Sequence, residues 1–238
     1  MIRRGRRPTA AFALCAIFFG WTLGAGRAAT LGGVSSGTLI SSDSSSTPNT
    51  PNILACDNFS GSNGESMSGR TVVDSVACSD RVWTSHSGTW SIKANKGAST
   101  STSPAVVTVG TEFQNGTTRV DVSNVNTGSR LGGLVASHDG TSTYLAAVMI
   151  NDSPDRVELV IVVDGTSTVI ATSNPTFAAT NRLALTRFGA AVLVSLNSTT
   201  TISTTLSASQ VTSLGSGGRS GLFGGHQSVQ FDDFVAIK

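Results

Sequence analysis

The sequence predicts an all-β fold in which two antiparallel sheets pack face to face as a sandwich. Three observations carry this reading. From Cys56 onward, short runs of alternating apolar and polar residues are separated by Gly, Asn, Asp and Ser. Ser and Thr are abundant, Gly numbers 26, and Lys, Glu and Gln are scarce, a composition that suits strands and turns better than helices. Finally, residues 221–238 (GLFGGHQSVQFDDFVAIK) stop inside a strand-like pattern, and such an edge needs another strand to receive it. The best partner is ILACDNFS at 53–60, where the folded region begins. Both ends of one domain are therefore expected side by side in a sheet.

The 238 residues allow one sizeable domain or at most two small ones. They read in order as a signal peptide (1–29), a Ser/Thr-rich linker (30–52) and a folded region (53–238). Residues 1–7 are basic, 10–25 form an apolar run, and Gly26 and Ala28 supply small residues at a cleavage site, the layout of a secretory signal. The rival reading is an uncleaved membrane anchor, since the run approaches the roughly 18 residues that a span needs. Gly24, Gly26 and the neighbouring alanines break the run, which favours cleavage and a secreted protein. The linker holds 11 Ser or Thr among 23 residues, with Pro48 and Pro51, and buries too little apolar surface to offset its ordering entropy.

Charge excludes one class of partner. Arg3, Arg4, Arg6, Arg7 and Arg27 account for five of the 16 Lys and Arg, leaving 11 against 14 Asp and Glu. The exported part is thus near −3 and has no basic run to follow a phosphate backbone, so nucleic acid is not expected as a partner. With Cys15 removed in the signal, Cys56 and Cys78 remain as an even pair in an exported chain, and a disulfide between them is the default expectation.

The runs within the folded region fall at 81–85, 88–92, 105–109, 117–125, 131–137, 143–151, 156–163, 168–172, 182–187, 191–196 and 200–206. The run 156–163 ends at Asp164-Gly165, a strong hairpin signal. Only 207–214 could make a short helical turn. In the last strand, alternation sets Phe231, Asp233 and Val235 against Asp232, Phe234 and Ala236. A dozen strands without helices imply a closed double layer, which limits exposed edges.

Several landmarks resemble the concanavalin A-like lectin/glucanase jelly rolls, in particular the LamG-like modules of secreted bacterial and phage proteins. They are Asp57-Asn58-Phe59, Trp83, Gly88-Thr89-Trp90-Ser91-Ile92, Leu131-Gly132-Gly133-Leu134-Val135, Tyr144-Leu145-Ala146-Ala147-Val148 and the closing Phe231-Asp232-Asp233-Phe234. The hairpin from Asn181-Arg182-Leu183 to Val194-Ser195-Leu196-Asn197 and the stretch Ser220-Gly221-Leu222-Phe223 also match. The resemblance covers 53–238 and implies an antiparallel jelly-roll sandwich. It is poor in function, because these are packing and turn positions, and this fold serves lectins, hydrolases, lyases and structural modules alike.

An enzyme is not expected. Glycoside hydrolysis needs two carboxyls about 5–10 Å apart, hence acids at i and i+2 or i+4 on a strand. Asp155 and Glu158 are at odd spacing, as are Asp152 and Asp155, and Asp232 and Asp233 are adjacent. The Glu-x-Asp-x-x-Glu strand of the family's glucanases is absent. A polysaccharide lyase would want Arg, His and Tyr converging on one sheet, whereas the His are scattered at 86, 138 and 226.

A binding site wants exposed aromatic faces and planar polar groups. Trp83 and Trp90 read either as sandwich core, which large rings favour, or as stacking platforms. Tyr144 follows the loop Ser137-His138-Asp139-Gly140-Thr141-Ser142, in which His138 and Asp139 read as ligand contacts or as a solvated Asx turn. His226 beside Gly224 and Gly225 carries the same two readings. Calcium could be held through Asp139 or Asp164 with backbone carbonyls, although no dense acidic loop demands it. The expectation is a secreted, non-catalytic, lectin-like module for glycan or cell-surface polysaccharide. The alternative is a structural or adhesion module contacting protein, and a third reading is a divergent glycosidase or lyase.

Overall fold

The computed structural model describes residues 52–72, 81–111, 114–126, 128, 131–215 and 217–238. The signal peptide, all of the linker but its last residue, and Cys78 lie outside the described residues. Among the described residues fifteen strands form two antiparallel sheets, accompanied by one short helix.

One sheet has the order β13-β12-β11-β6-β15-β4-β3 (Thr199–Thr205, Ala191–Leu196, Thr180–Phe188, Gly116–Ser123, Gln230–Ile237, Gly97–Ser99, Trp90–Ile92). The first strand, β1 (Ile53–Asp57), joins this sheet by pairing with β15, with Ala55 opposite Ala236 and Asp57 opposite Phe234. The expected meeting of the two ends is therefore present. The other sheet has the order β10-β9-β8-β7-β14-β5-β2 (Thr166–Ser173, Arg156–Val163, Tyr144–Ile150, Leu131–His138, Arg219–Gly224, Ala105–Gly110, Trp83–Ser87). The helix α1 (Ala208–Leu214) forms at the expected turn. Ser207 caps it by accepting from the Gln210 N–H, and the Gln210 side chain accepts from the Ser207 N–H. The three-residue strand β4 was not legible in the sequence.

The core lies between the sheets. Phe59, Trp83 and Phe234 form one aromatic cluster, with ring centroids 5.8 and 5.0 Å apart, and Trp90 packs on Phe231 at 5.8 Å. All five rings are buried. Burying each contributes roughly 1.5–3 kcal/mol, and contacts of this geometry add a little more.

Two bulges reset the side-chain alternation. In β15 the register shifts between Asp232 and Val235, and Asp233 takes φ 49°. Strict alternation sets Phe231 and Phe234 on opposite faces; the extra residue turns both into the core and leaves Asp232 and Asp233 accessible. In β7 the register with β14 shifts between Arg219 and Gly221, and Ser137 takes φ 53°. Leu134 and Ala136 face the core, so alternation would send His138 inward as well. Instead Ser137 turns inward to accept from Arg187 Nη1 at 2.6 Å, and His138 emerges on the outer face. This second bulge positions the site.

Candidate functional site

The outer face of the β10–β2 sheet has two parts. Over β10, β9 and β8, apolar side chains line a groove of about 370 Å³, among them Tyr144, Val148, Ile150, Val160 and Val169, with Phe223 of β14. The apolar surface continues onto Leu131, Val135, Phe223 and Val106 of β7, β14 and β5, and beside it the polar side chains His138, Arg219, Thr108, His86 and Thr84 of β7, β14, β5 and β2 meet.

Tyr144 joins the two parts. It lines the groove, and its ring stacks on the His138 imidazole with centroids 5.3 Å apart and planes 9° from parallel. His138 in turn lies 4.0 Å from the His86 ring. The three rings form one row across β8, β7 and β2. His86 Nε2 lies 2.7 Å from Thr108 Oγ1, and His138 Nδ1 accepts from the Gly140 N–H at 2.8 Å. Burial pushes the His138 pKa down to about 4, with the His86 ring and Arg219 adding to the effect against the opposing charge of Asp139. Burial and the Arg219 charge also lower His86. Both rings are thus neutral near pH 7. Burial raises the Tyr144 hydroxyl above its usual value, so it stays protonated.

Asp139 makes the Asx-type turn. Its Oδ1 accepts from the N–H groups of Thr141 (2.7 Å) and Thr143 (3.1 Å), and its Oδ2 from Thr141 Oγ1 (2.7 Å). Burial acts to raise its pKa, but these bonds together outweigh that and hold it below the usual carboxylate range. Asp164 sits at φ 49° in the β9–β10 hairpin, its N–H donating to Thr143 Oγ1 at 3.2 Å. Among the described residues no three His, Cys, Asp or Glu side chains gather as a metal site, and the Asp139 carboxylate accepts from Thr141 and Thr143.

The structure corrects three expectations. Trp83 and Trp90 are not stacking platforms: they are 0% and 2% exposed, and the Trp83 indole N–H donates to Asp57 Oδ2 at 2.7 Å within the core. Their rings supply apolar area that a sandwich of this size uses between its sheets. His226 does not join the site. It lies after the end of β14 opposite to Arg219 and accepts from the Ser228 N–H at 3.1 Å, a local turn bond. The histidines are not all scattered, because β2 and β7 bring His86 and His138 into contact, with Tyr144 and Arg219 beside them.

The acids are mostly structural partners. Arg156 pairs with Glu158 at 2.8 Å and with Asp152. Asp155 accepts from Asn151 Nδ2 and the Phe177 N–H. Among the described residues, Glu158 is the one carboxylate lining the groove.

Sequence reasoning missed the apolar strip and the polar cluster of Arg219, His86, Thr84 and Thr108. A signal for the first was present: residues 145–150 (LAAVMI) are apolar at every position rather than every second, so their outward side chains are apolar too. No local signal exists for the second, since three strands distant in sequence supply it.

No protein family and no curated protein matches the chain by sequence. Solved structures do match its fold. The chain is similar to the GH43 BlXynB protein from Bacillus licheniformis, with a TM-score of 0.53 and 13% identity over 76% of this chain and 39% of that one. It is similar to SCLam, a GH16 non-specific endo-β-1,3(4)-glucanase, with a TM-score of 0.50 and 9% identity over 80% and 92% of the two chains. The CBM2 module of the evolved Dit of Lactobacillus casei BL23 phage J-1 matches with a TM-score of 0.50 and 10% identity over 79% and 95%. At these identities the likeness is one of fold, and the fold is a jelly-roll β-sandwich.

Proposed function

We propose that the chain is a secreted, non-catalytic module of the concanavalin A-like jelly-roll kind that binds glycan through the outer face of its β10–β2 sheet. The observation that carries this reading is the groove itself. It is an apolar strip suited to the C–H faces of sugar rings, bounded by Tyr144 and leading past the covered His138 ring to the polar groups of His86 and Arg219. That solved structures similar in fold include a glucanase and a CBM2 module supports it. Tyr144 takes the role of aromatic contact that the tryptophans do not fill, and the ring behind it fixes its orientation. A broad glycan and polysaccharide array, run on the protein with calcium and with chelator, tests the reading. Reproducible binding supports it, and loss with chelator would add a metal. A folded protein that binds nothing on the array points instead to a structural or protein-contacting role.

The meeting of Arg219, His86, His138 and Tyr144 favours a second reading, a polysaccharide lyase. Elimination needs a cation, a neutral base and a proton donor near one another, and the neutral imidazoles and protonated phenol supply the latter two. Against it, His138 is 1% exposed and covered by two rings. Ultraviolet absorbance from an unsaturated product would establish this second reading.

A further inference from the structure

Arg219 brings a positive charge to the outer face that no carboxylate among the described residues answers with an ion pair. Its Nε donates to Thr108 Oγ1 at 3.0 Å and its Nη2 to Thr84 Oγ1 at 2.8 Å. Those hydroxyls belong to the next two strands, β5 and β2, so the side chain lies flat across the sheet with its planar fork fixed. Nη1 makes no hydrogen bond among the described residues. Hydroxyls satisfy donors but do not neutralise charge, and a half-buried guanidinium without a counter-ion is costly unless an anion completes it. The Asp139 carboxylate lines the same end of the face, but its oxygens are engaged by Thr141 and Thr143 and it forms no ion pair with Arg219. The neutral imidazole of His86 shares the Thr108 hydroxyl with Arg219 and leads through His138 to Tyr144 and the apolar strip.

We propose that Arg219 is the anion-recognition point of the glycan site, and that the ligand is an acidic glycan carrying carboxylate or sulfate groups. A guanidinium fork suits either group. The charged substituent sits at Arg219 with Thr84 and His86 beside it, while a neighbouring ring lies over Tyr144 and the apolar groove. This inference rests on the glycan-binding reading and specifies its ligand class.

The test uses two matched pairs on the full protein: polygalacturonate against its carboxyl-reduced form, and dextran sulfate against dextran. The acidic member of at least one pair is expected to bind about tenfold or more tightly than its neutral partner, and more weakly as salt rises. The pair that shows the preference tells carboxylate from sulfate. Arg219→Gln, whose amide takes the place of Nε beside the Thr108 hydroxyl, is expected to abolish the preference, whereas Arg182→Gln on the other sheet keeps it. Should Arg219→Gln fail to fold, Arg219→Lys keeps the charge without the fork and is expected to keep the preference at reduced affinity; unchanged affinity counts against the proposal. Equal binding within both pairs, or a preference that survives Arg219→Gln, overturns the inference while the glycan reading stands. No binding to any of the four polymers or to a neutral glycan panel overturns both.

Discussion

The imidazoles of His86 and His138 lie 4.0 Å apart, centroid to centroid, with planes tilted by 30°. Two protonated rings could not share that space beside Arg219, so the fold holds them neutral. His138 has a native pKa of about 4 against 6.5 for a free histidine. Above pH 6.5 neither the folded nor the unfolded chain protonates it, and below about 4 both do. Between those values the unfolded chain binds the proton and the native one does not, so stability falls as pH drops through this window. The loss is expected to be about 3 kcal/mol. Urea unfolding midpoints between pH 7 and 4 measure it. His138→Asn keeps an acceptor for the Gly140 N–H and should flatten the slope; a slope unchanged in the variant would assign the loss to other groups.

Tyr144 and Trp83 should separate binding from stability. Tyr144→Ala removes the ring that lines the groove and is expected to weaken glycan binding by about tenfold or more while the protein stays folded. Trp83→Phe leaves a void between Phe59 and Phe234 and strips the buried Asp57 carboxyl of its indole donor. A loss of about 2–4 kcal/mol of stability is expected, with affinity unchanged in the folded fraction. Isothermal titration and thermal melts on both variants check the pair, and a Trp83→Phe protein that is stable but cannot bind would reverse the assignment.

The difference between those residues explains what the sequence disclosed. Strand positions depend on local alternation and turn residues, so the sandwich, the β1–β15 pairing and the short helical turn at 207–214 were legible. Which face a side chain takes depends on bulges, and positive φ at Ser137 and Asp233 has no reliable local signature. That is why Phe231 and Phe234 were set on opposite faces. The polar cluster required knowing that β2, β5, β14 and β7 are neighbours, which is information held in pairing rather than in any one segment. Tyr144, His138 and Asp139 were found because one loop and the strand after it present all three.

A disulfide between Cys56 and Cys78 remains an expectation with a definite consequence. Cys56 is 5% exposed in β1, beside the strand that closes the fold. Closing a loop of about 23 residues should stabilise the protein by about 3 kcal/mol through the unfolded state. Non-reducing peptide mapping should recover the linked pair, and reductant should lower the melting temperature by several degrees. Two free thiols under native alkylation would dispose of the bridge.

Glycine at 221 is a backbone requirement of the face that carries the site. A Cβ on Gly221 of β14 would lie 2.0 Å from the carbonyl oxygen of Val107 in the adjoining β5, far inside contact distance. The obstacle is backbone held in the sheet ladder, so relief means parting β14 from β5, and that would displace Arg219 from the Thr108 hydroxyl two strand positions away. Gly110, in β5 opposite Arg219, is the contrasting case, with nothing within 4 Å of its would-be Cβ. Gly221→Ala is expected to cost more than about 3 kcal/mol or to prevent folding, and Gly110→Ala to stay within about 1 kcal/mol of the parent. Soluble yield and chemical denaturation of the two variants measure the contrast. Equal stability would mean that β14 and β5 are not paired in this register, and the placement of Arg219 across both strands would fall with it.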